Sequence, residues 1–553
     1  MHIDGKINKP IHKKTNTMKL KFYKPYIFAL ALLALGGSCQ SPLKDFNLVV
    51  SSNVIKDRAT IKVLDAAGAS IPNVSIKLLA GDTEDVYNEQ GYKSFPLVGD
   101  LVVFGLDPKR TPTTTVPVEF TIEISAAGYY KQIVPLSITG EQMGIHEIRL
   151  VKELSNVEGV VVATQTAALV GGVTNKEIAV NLDGGDSYID MKLNIPAGTS
   201  FQDANGKIIS GGLVNIAVQA LDTDQPGSLA LFPGQSLTAN AIVMPDGSQR
   251  SGVFNPAASA VINMSINGVK VRKFSNPIQI SFGLNPDFRY SGTNQGLASG
   301  QQMPVYSFTD EDGFWAYQST PTVQLVDGQF RLVFGTDHLS TFVATQDPAA
   351  TCISSVIEFQ ADWINQGLTY PIVVEAWANG ILLTTRTFSI DQDTKTVALG
   401  YLPSQGLTYR IKNSAGTILK EVSAAACGTS TLVQLGNPTP PLDKVTLQLY
   451  VRCPGKGIIT VLPSFQLYYR LTGSNTWLYL GQVDKGLIST AMLKSDGTKY
   501  DFRAIYNGKT KVVNGKTVQK DNSGTIGINP GDIIGEKAGA TNLAILVEEC
   551  NKL

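Results

Sequence analysis

Apolar and polar residues alternate with a period of two through most of this chain, the pattern of strands with one face in a core and the other in solvent. The alternation is clear at Thr60-Ile61-Lys62-Val63-Leu64-Asp65 and resumes at Val74-Ser75-Ile76-Lys77-Leu78, beyond a segment holding Gly68, Pro72 and Asn73. Two such runs about a Gly/Pro/Asn turn predict a hairpin. Residues 119–124 and 145–150 continue the pattern, and Gly211–Gln219 reads as a buried strand. Ile372–Trp377 and Ile381–Phe388 flank Ala378-Asn379-Gly380, a hairpin turn of the Asn-Gly kind. Val445–Val451 alternates in turn, and Tyr468–Leu471 precedes Trp477–Leu480 across Gly473-Ser474-Asn475. No segment keeps a helical period, so the expected fold class is all-β: tandem, Ig-like β-sandwich domains.

One stretch departs from this pattern. Tyr26 to Leu35 is an unbroken apolar run, preceded by Lys19, Lys21 and Lys24 and followed by Gly36-Gly37-Ser38-Cys39. A positive region, about ten apolar residues and small residues before a cleavage point make an export signal, too short to span a bilayer permanently. Met18 is the expected start, with residues 1–17 read as leader. No second run of eighteen apolar residues occurs, so the exported chain is expected to meet the membrane through its N-terminus alone.

The 553 residues exceed what one core accommodates. Turn-rich stretches divide them into leader and signal (1–38), a tether (39–57) and blocks at 58–153, 154–348, 349–437 and 438–553, with Asn437-Pro438-Thr439-Pro440-Pro441 as the clearest linker. Lysine plus arginine equals aspartate plus glutamate, 46 each, which leaves no electrostatic footprint for nucleic acid. Beyond Cys39 the cysteines are Cys352, Cys427, Cys453 and Cys550. An even number in an exported chain favours disulfides, and three pairings are open. Proximity favours Cys352–Cys427 and Cys453–Cys550, each closing one block. A metal site is the rival reading, but no CxxC spacing accompanies it.

Several stretches resemble known families. Cys39 and the small residues before it resemble the lipobox of bacterial lipoproteins, with Gly36 where leucine is usual and Leu35 one place further out. That resemblance implies a covalent lipid on Cys39, and Gln40-Ser41, lacking the aspartate that retains lipoproteins at the inner membrane, implies the outer membrane. Val63, Asp65, Gly68, Ile71, Pro72 and Val74 resemble the motif of the carboxypeptidase regulatory-like family over residues 58–152. This implies a seven-stranded structural sandwich without catalytic residues. Ile195-Pro196-Ala197-Gly198 and a closing His338-Leu339-Ser340-Thr341-Phe342 resemble the ZU-type domain of netrin receptors and ankyrins and the GAIN domain of adhesion receptors. The hairpin 468–480 loosely resembles one from fibronectin type III.

The GAIN resemblance carries the sharpest chemistry. It implies self-cleavage after Leu339, with His338 taking the hydroxyl proton of Ser340 and that hydroxyl attacking the Leu339 carbonyl. Trp315 stands for the family's tryptophan, while its flanking cysteines are absent. The plainer reading is a strand end whose histidine bonds a neighbour. Asp222-Thr223-Asp224 and Asp310-Glu311-Asp312-Gly313 offer oxygen ligands for calcium, yet neither has the EF-hand spacing, and solvated acidic loops are the expectation; no cofactor or metal is expected. Trp363, Tyr370, Trp377, Tyr468, Trp477 and Tyr479 could build a glycan platform or simply fill cores. The preferred reading is a non-enzymatic, lipid-anchored protein of the outer membrane and cell surface, a rod of sandwiches for adhesion or assembly with a protein or glycan partner. The alternatives are a self-cleaving protein, and a glycan-binding accessory similar in plan to the starch-binding surface lipoproteins of Bacteroidota.

Overall fold

Residues 58–150 contribute seven strands, and their alternation splits them between two sheets. Arg58–Asp65 pairs in parallel with Ile145–Leu150 and antiparallel with Leu101–Leu106. Ser75–Gly81, Val118–Ser125 and Gln132–Ile138 form the facing sheet. The two runs expected to make a hairpin therefore lie in opposite sheets. The reason is the segment between them. Asp65 Oδ1 accepts the Ala67 and Ala69 amides at 2.9 and 2.7 Å, and Asn73 takes a left-handed φ of 53°, so the chain turns twice and crosses the core instead of folding back. Ile61, Val63 and Phe104 face Phe120, Ile122 and Val134 across that core. Each such fully buried side chain contributes about 1.5–3 kcal/mol.

The computed structural model describes residues 48–51 and 57–526, apart from 90, 141–142, 154–155, 186–187, 223, 309–312, 379, 437–443, 453–458, 463 and 507–508. Cys39, Cys453, Cys550 and Asp310-Glu311-Asp312 lie outside the described residues.

The second block packs a 9-stranded sheet on a 6-stranded one. The long strands Leu213–Leu221 and Pro256–Ile266 belong to the first, Lys273–Gly283 and Gln329–His338 to the second. Their inward faces, among them Ile216, Ile262, Met264, Ile280 and Leu332, make one continuous core. The third block sets the sheet of Thr351–Gln360, Thr396–Pro403 and Thr431–Gln434 against Tyr370–Ala378, Ile381–Ile390, Leu407–Asn413 and Ile418–Ser423. The hairpin expected within it is present, with Ile372 opposite Phe388. The Cys352–Cys427 disulfide closes this block, its Cα atoms 5.6 Å apart. In the last block Phe465–Leu471 and Leu478–Val483 form the expected hairpin, extended by Lys499–Tyr506 and Lys509–Thr517.

These sandwiches do not follow one another as a rod; three of them lean on the first. Antiparallel pairing of Arg386 with His146 and Thr387 with Ile145 joins the third block to the first in one 8-stranded sheet. Tyr468, Tyr479 and Ile505 of the last block bury Leu101 and Ile145 of the first, and Arg503 meets Asp100 at 3.5 Å. Phe232 and Trp315 of the second block pack with Ile133 and Val151. A row of beads would leave these apolar residues in water, so burial drives the blocks together.

Candidate functional site

The tripeptide His338-Leu339-Ser340 occupies a definite place in the second block: the point where the chain leaves one sheet and enters the other. His338 ends Gln329–His338 in the 6-stranded sheet, and Thr341–Thr345 begins at once in the 9-stranded sheet. Such corners need a bend and a side chain to fill the gap between layers. Leu339 fills it: the residue is 3 % exposed, and its amide donates to Arg272 O at 2.9 Å. The Ser340 carbonyl accepts the Ile262 amide at 3.3 Å.

The proton-transfer geometry runs elsewhere. His338 Nε2 lies 3.3 Å from Ser307 Oγ, and Nδ1 lies 3.2 Å from Thr336 Oγ1 and 3.1 Å from Asp337 Oδ1. The hydrogen bond to His338 holds the Asp337 carboxyl below its ordinary range. Ser340 Oγ is buried with no hydrogen-bond partner. None of the three residues has a positive φ, so no left-handed strain sits at the peptide to be cut. Trp315 packs into a different cluster, 5.1 Å from Phe232 and 4.8 Å from Phe254, whereas Leu339 belongs to the core between the two sheets. Self-cleavage would require His338 to exchange Ser307 for Ser340.

The aromatic residues are likewise occupied. Tyr370, Tyr468 and Tyr479 are buried. Trp363 is half-buried, donates to Gly436 O at 2.9 Å and meets Tyr370 edge-on. Arg410 lies 4.3 Å from the Trp377 ring centre, and Arg470 and Arg503 lie 4.5 and 5.1 Å from that of Trp477. A ring face covered by a guanidinium is not free to stack on a sugar. The acidic residues Asp222 and Asp224 accept from Tyr188 Oη and Asn285 Nδ2, each at 2.6 Å. Burial raises the Asp224 carboxyl despite the Asn285 bond. Among the described residues no group of three or more His, Cys, Asp and Glu side chains is placed to hold a metal ion.

A polar group that no local motif announces lies at the joint of the first and third blocks. Arg386 and His146 face each other across the shared sheet. Burial drives the guanidinium down to about 9, and burial followed by the Arg386 charge holds His146 well below its ordinary value. Both line a cavity of about 90 Å³ with residues of the second block on its far wall. Arg386 and His146 stand far apart in sequence within ordinary alternating strands, so only their pairing brings them together.

No family model matches the chain, and no curated protein does. Among solved structures it is similar to the N-terminal four Ig domains of Dscam1 isoform 8.4, at 9 % identity over 87 % of this chain and 98 % of that one, with a TM-score of 0.09. The same four domains of Dscam1 isoform 6.9 align at 9 % identity over 85 % of this chain and 100 % of that one, with a TM-score of 0.08. Likenesses at such scores carry no argument, and the all-β sandwich architecture rests on the strands and sheets described above.

Proposed function

We propose that this chain is a non-enzymatic lipoprotein of the outer membrane and cell surface, a scaffold for adhesion or assembly. In this reading acyl chains on Cys39 hold it, and since one chain binds a membrane only marginally, more than one is needed. Residues 58–153 act as a structural module of carboxypeptidase regulatory-like type, and residues 154–348 as a sandwich of the GAIN/ZU kind. The observation that carries the scaffold reading is the continuous 8-stranded sheet shared by the first and third blocks, with the second and last blocks packed on the first. Shared backbone pairing and buried contacts hold surfaces from different blocks in fixed relation, as a scaffold requires.

Replacing Cys39 with serine tests the anchor. Wild-type protein should sediment with membranes and incorporate labelled fatty acid, while the variant should appear in soluble fractions without label. Membrane retention of the unlabelled variant would overturn the reading.

A further inference from the structure

The joint between the first and third blocks gathers donors that the protein itself does not use. Arg386 Nη1 is cut off from solvent and has no hydrogen-bond partner. Thr384 Oγ1 and His146 Nδ1 are in the same condition. Alternation along Ile381–Ile390 places Thr384 and Arg386 on one face, and the register sets His146 directly opposite Arg386. All three line the same cavity, and no aspartate or glutamate is among its lining residues. Glu119, in the facing sheet of the first block, instead accepts the hydroxyl of the lining residue Tyr401. The cavity's volume of about 90 Å³ exceeds the 10–15 Å³ or so that one water needs.

A guanidinium keeps its proton, so its removal from water must be offset by a counter-charge. Water can satisfy the orphaned donors but cannot neutralise the charge. The planar fork of arginine matches two oxygens on one atom, as a carboxylate or an oxyanion presents them. We propose that this cavity binds a small free oxyanion or carboxylate, with Arg386 as the principal ligand and Thr384 and His146 as supporting donors. His146 is held neutral and donates in the tautomer that carries its proton on Nδ1. The bound anion ties the first block to the third at their shared strands, which makes it a structural ligand of the joint.

The test uses the full chain, freed of polyvalent anions. Thermal unfolding is followed in sodium chloride and, at equal ionic strength, in sodium phosphate, sulfate and acetate, with calorimetric titration of the same salts. At least one of the three should raise the unfolding midpoint by several degrees beyond chloride and bind saturably. Arg386→Gln should abolish both effects, and Thr384→Val should weaken binding several-fold. Should Arg386→Gln fail to fold, Thr384→Val and Arg386→Lys, which keeps the charge but loses the fork, serve in its place, and both should bind more weakly than wild type. The proposal is overturned if no salt exceeds chloride, or if the folded variants bind as wild type does.

Discussion

Replacing Ile145 with alanine asks whether the first, third and last blocks are held as one body. Ile145 is 6 % exposed. Its backbone pairs with Thr60 of its own block and Thr387 of the third. Its side chain packs with Leu101, Tyr468, Tyr479 and Ile505, the last three from the final block. Truncating a buried isoleucine to alanine costs about 2–5 kcal/mol, and less where the surroundings relax into the space. One wall here is a contact between blocks and can move, which sets the expectation at about 2–3 kcal/mol. At about 1.4 kcal/mol per tenfold, the open form of the joint becomes roughly 30- to 140-fold more populated. Hydrogen exchange read by mass spectrometry reports this strand by strand. Protection should fall in Ile145–Leu150, and also in Ile381–Ile390, Phe465–Leu471 and Leu478–Val483. Ile280→Ala, a comparable truncation in the core of the second block, should leave those strands protected. If the loss in Ile145→Ala stays within residues 58–150, the blocks are independent and the reasoning fails.

Three further outcomes are expected. Removing the Cys352–Cys427 bridge with alanine at both positions frees a 75-residue separation, for which the chain-entropy model gives about 4.5 kcal/mol; denaturant melts should show that loss at most. His146 is buried neutral while the unfolded chain protonates it near 6.5, so the unfolded state binds the extra proton and stability falls as pH drops below about 6.5 toward the lowered native value. Wild type minus His146→Asn should therefore show a pH-dependent stability difference in that acidic window and a constant one above it; a flat difference throughout would contradict the assignment. Because His338 engages Ser307 and not Ser340, intact-mass measurement should find a single full-length species, unchanged in Ser340→Ala. Two fragments divided after Leu339 in wild type alone would revive self-cleavage.

Much of this molecule was legible along the chain because strand formation with one buried face leaves a local signature. Period-two patterning located Arg58–Asp65, Val118–Ser125, Ile145–Leu150 and Tyr370–Ala378, and the Asn-Gly turn located a hairpin. Cys352 and Cys427 paired as their spacing favoured, since they bound one sandwich. The misplaced hairpin has a physical cause. Alternation says that Ile61 and Ile76 lie on strands, but which strand lies beside which is decided by partners distant in sequence. The expected hairpin thus became a crossing between sheets through the turns at Asp65 and Asn73. His338-Leu339-Ser340 left a catalytic and a plainer reading open along the chain, and what position in space adds is that Leu339 fills a corner between sheets while His338 meets Ser307.

That the described chain is almost entirely β and built of several sandwiches follows from its residues read in order, because side-chain alternation and turn chemistry are local properties of a strand. That the sandwiches gather on the first one, and that Arg386 meets His146 there, emerges from the folded arrangement alone. Both depend on apolar faces and unpaired strand edges finding distant partners, and no short window of residues records that choice.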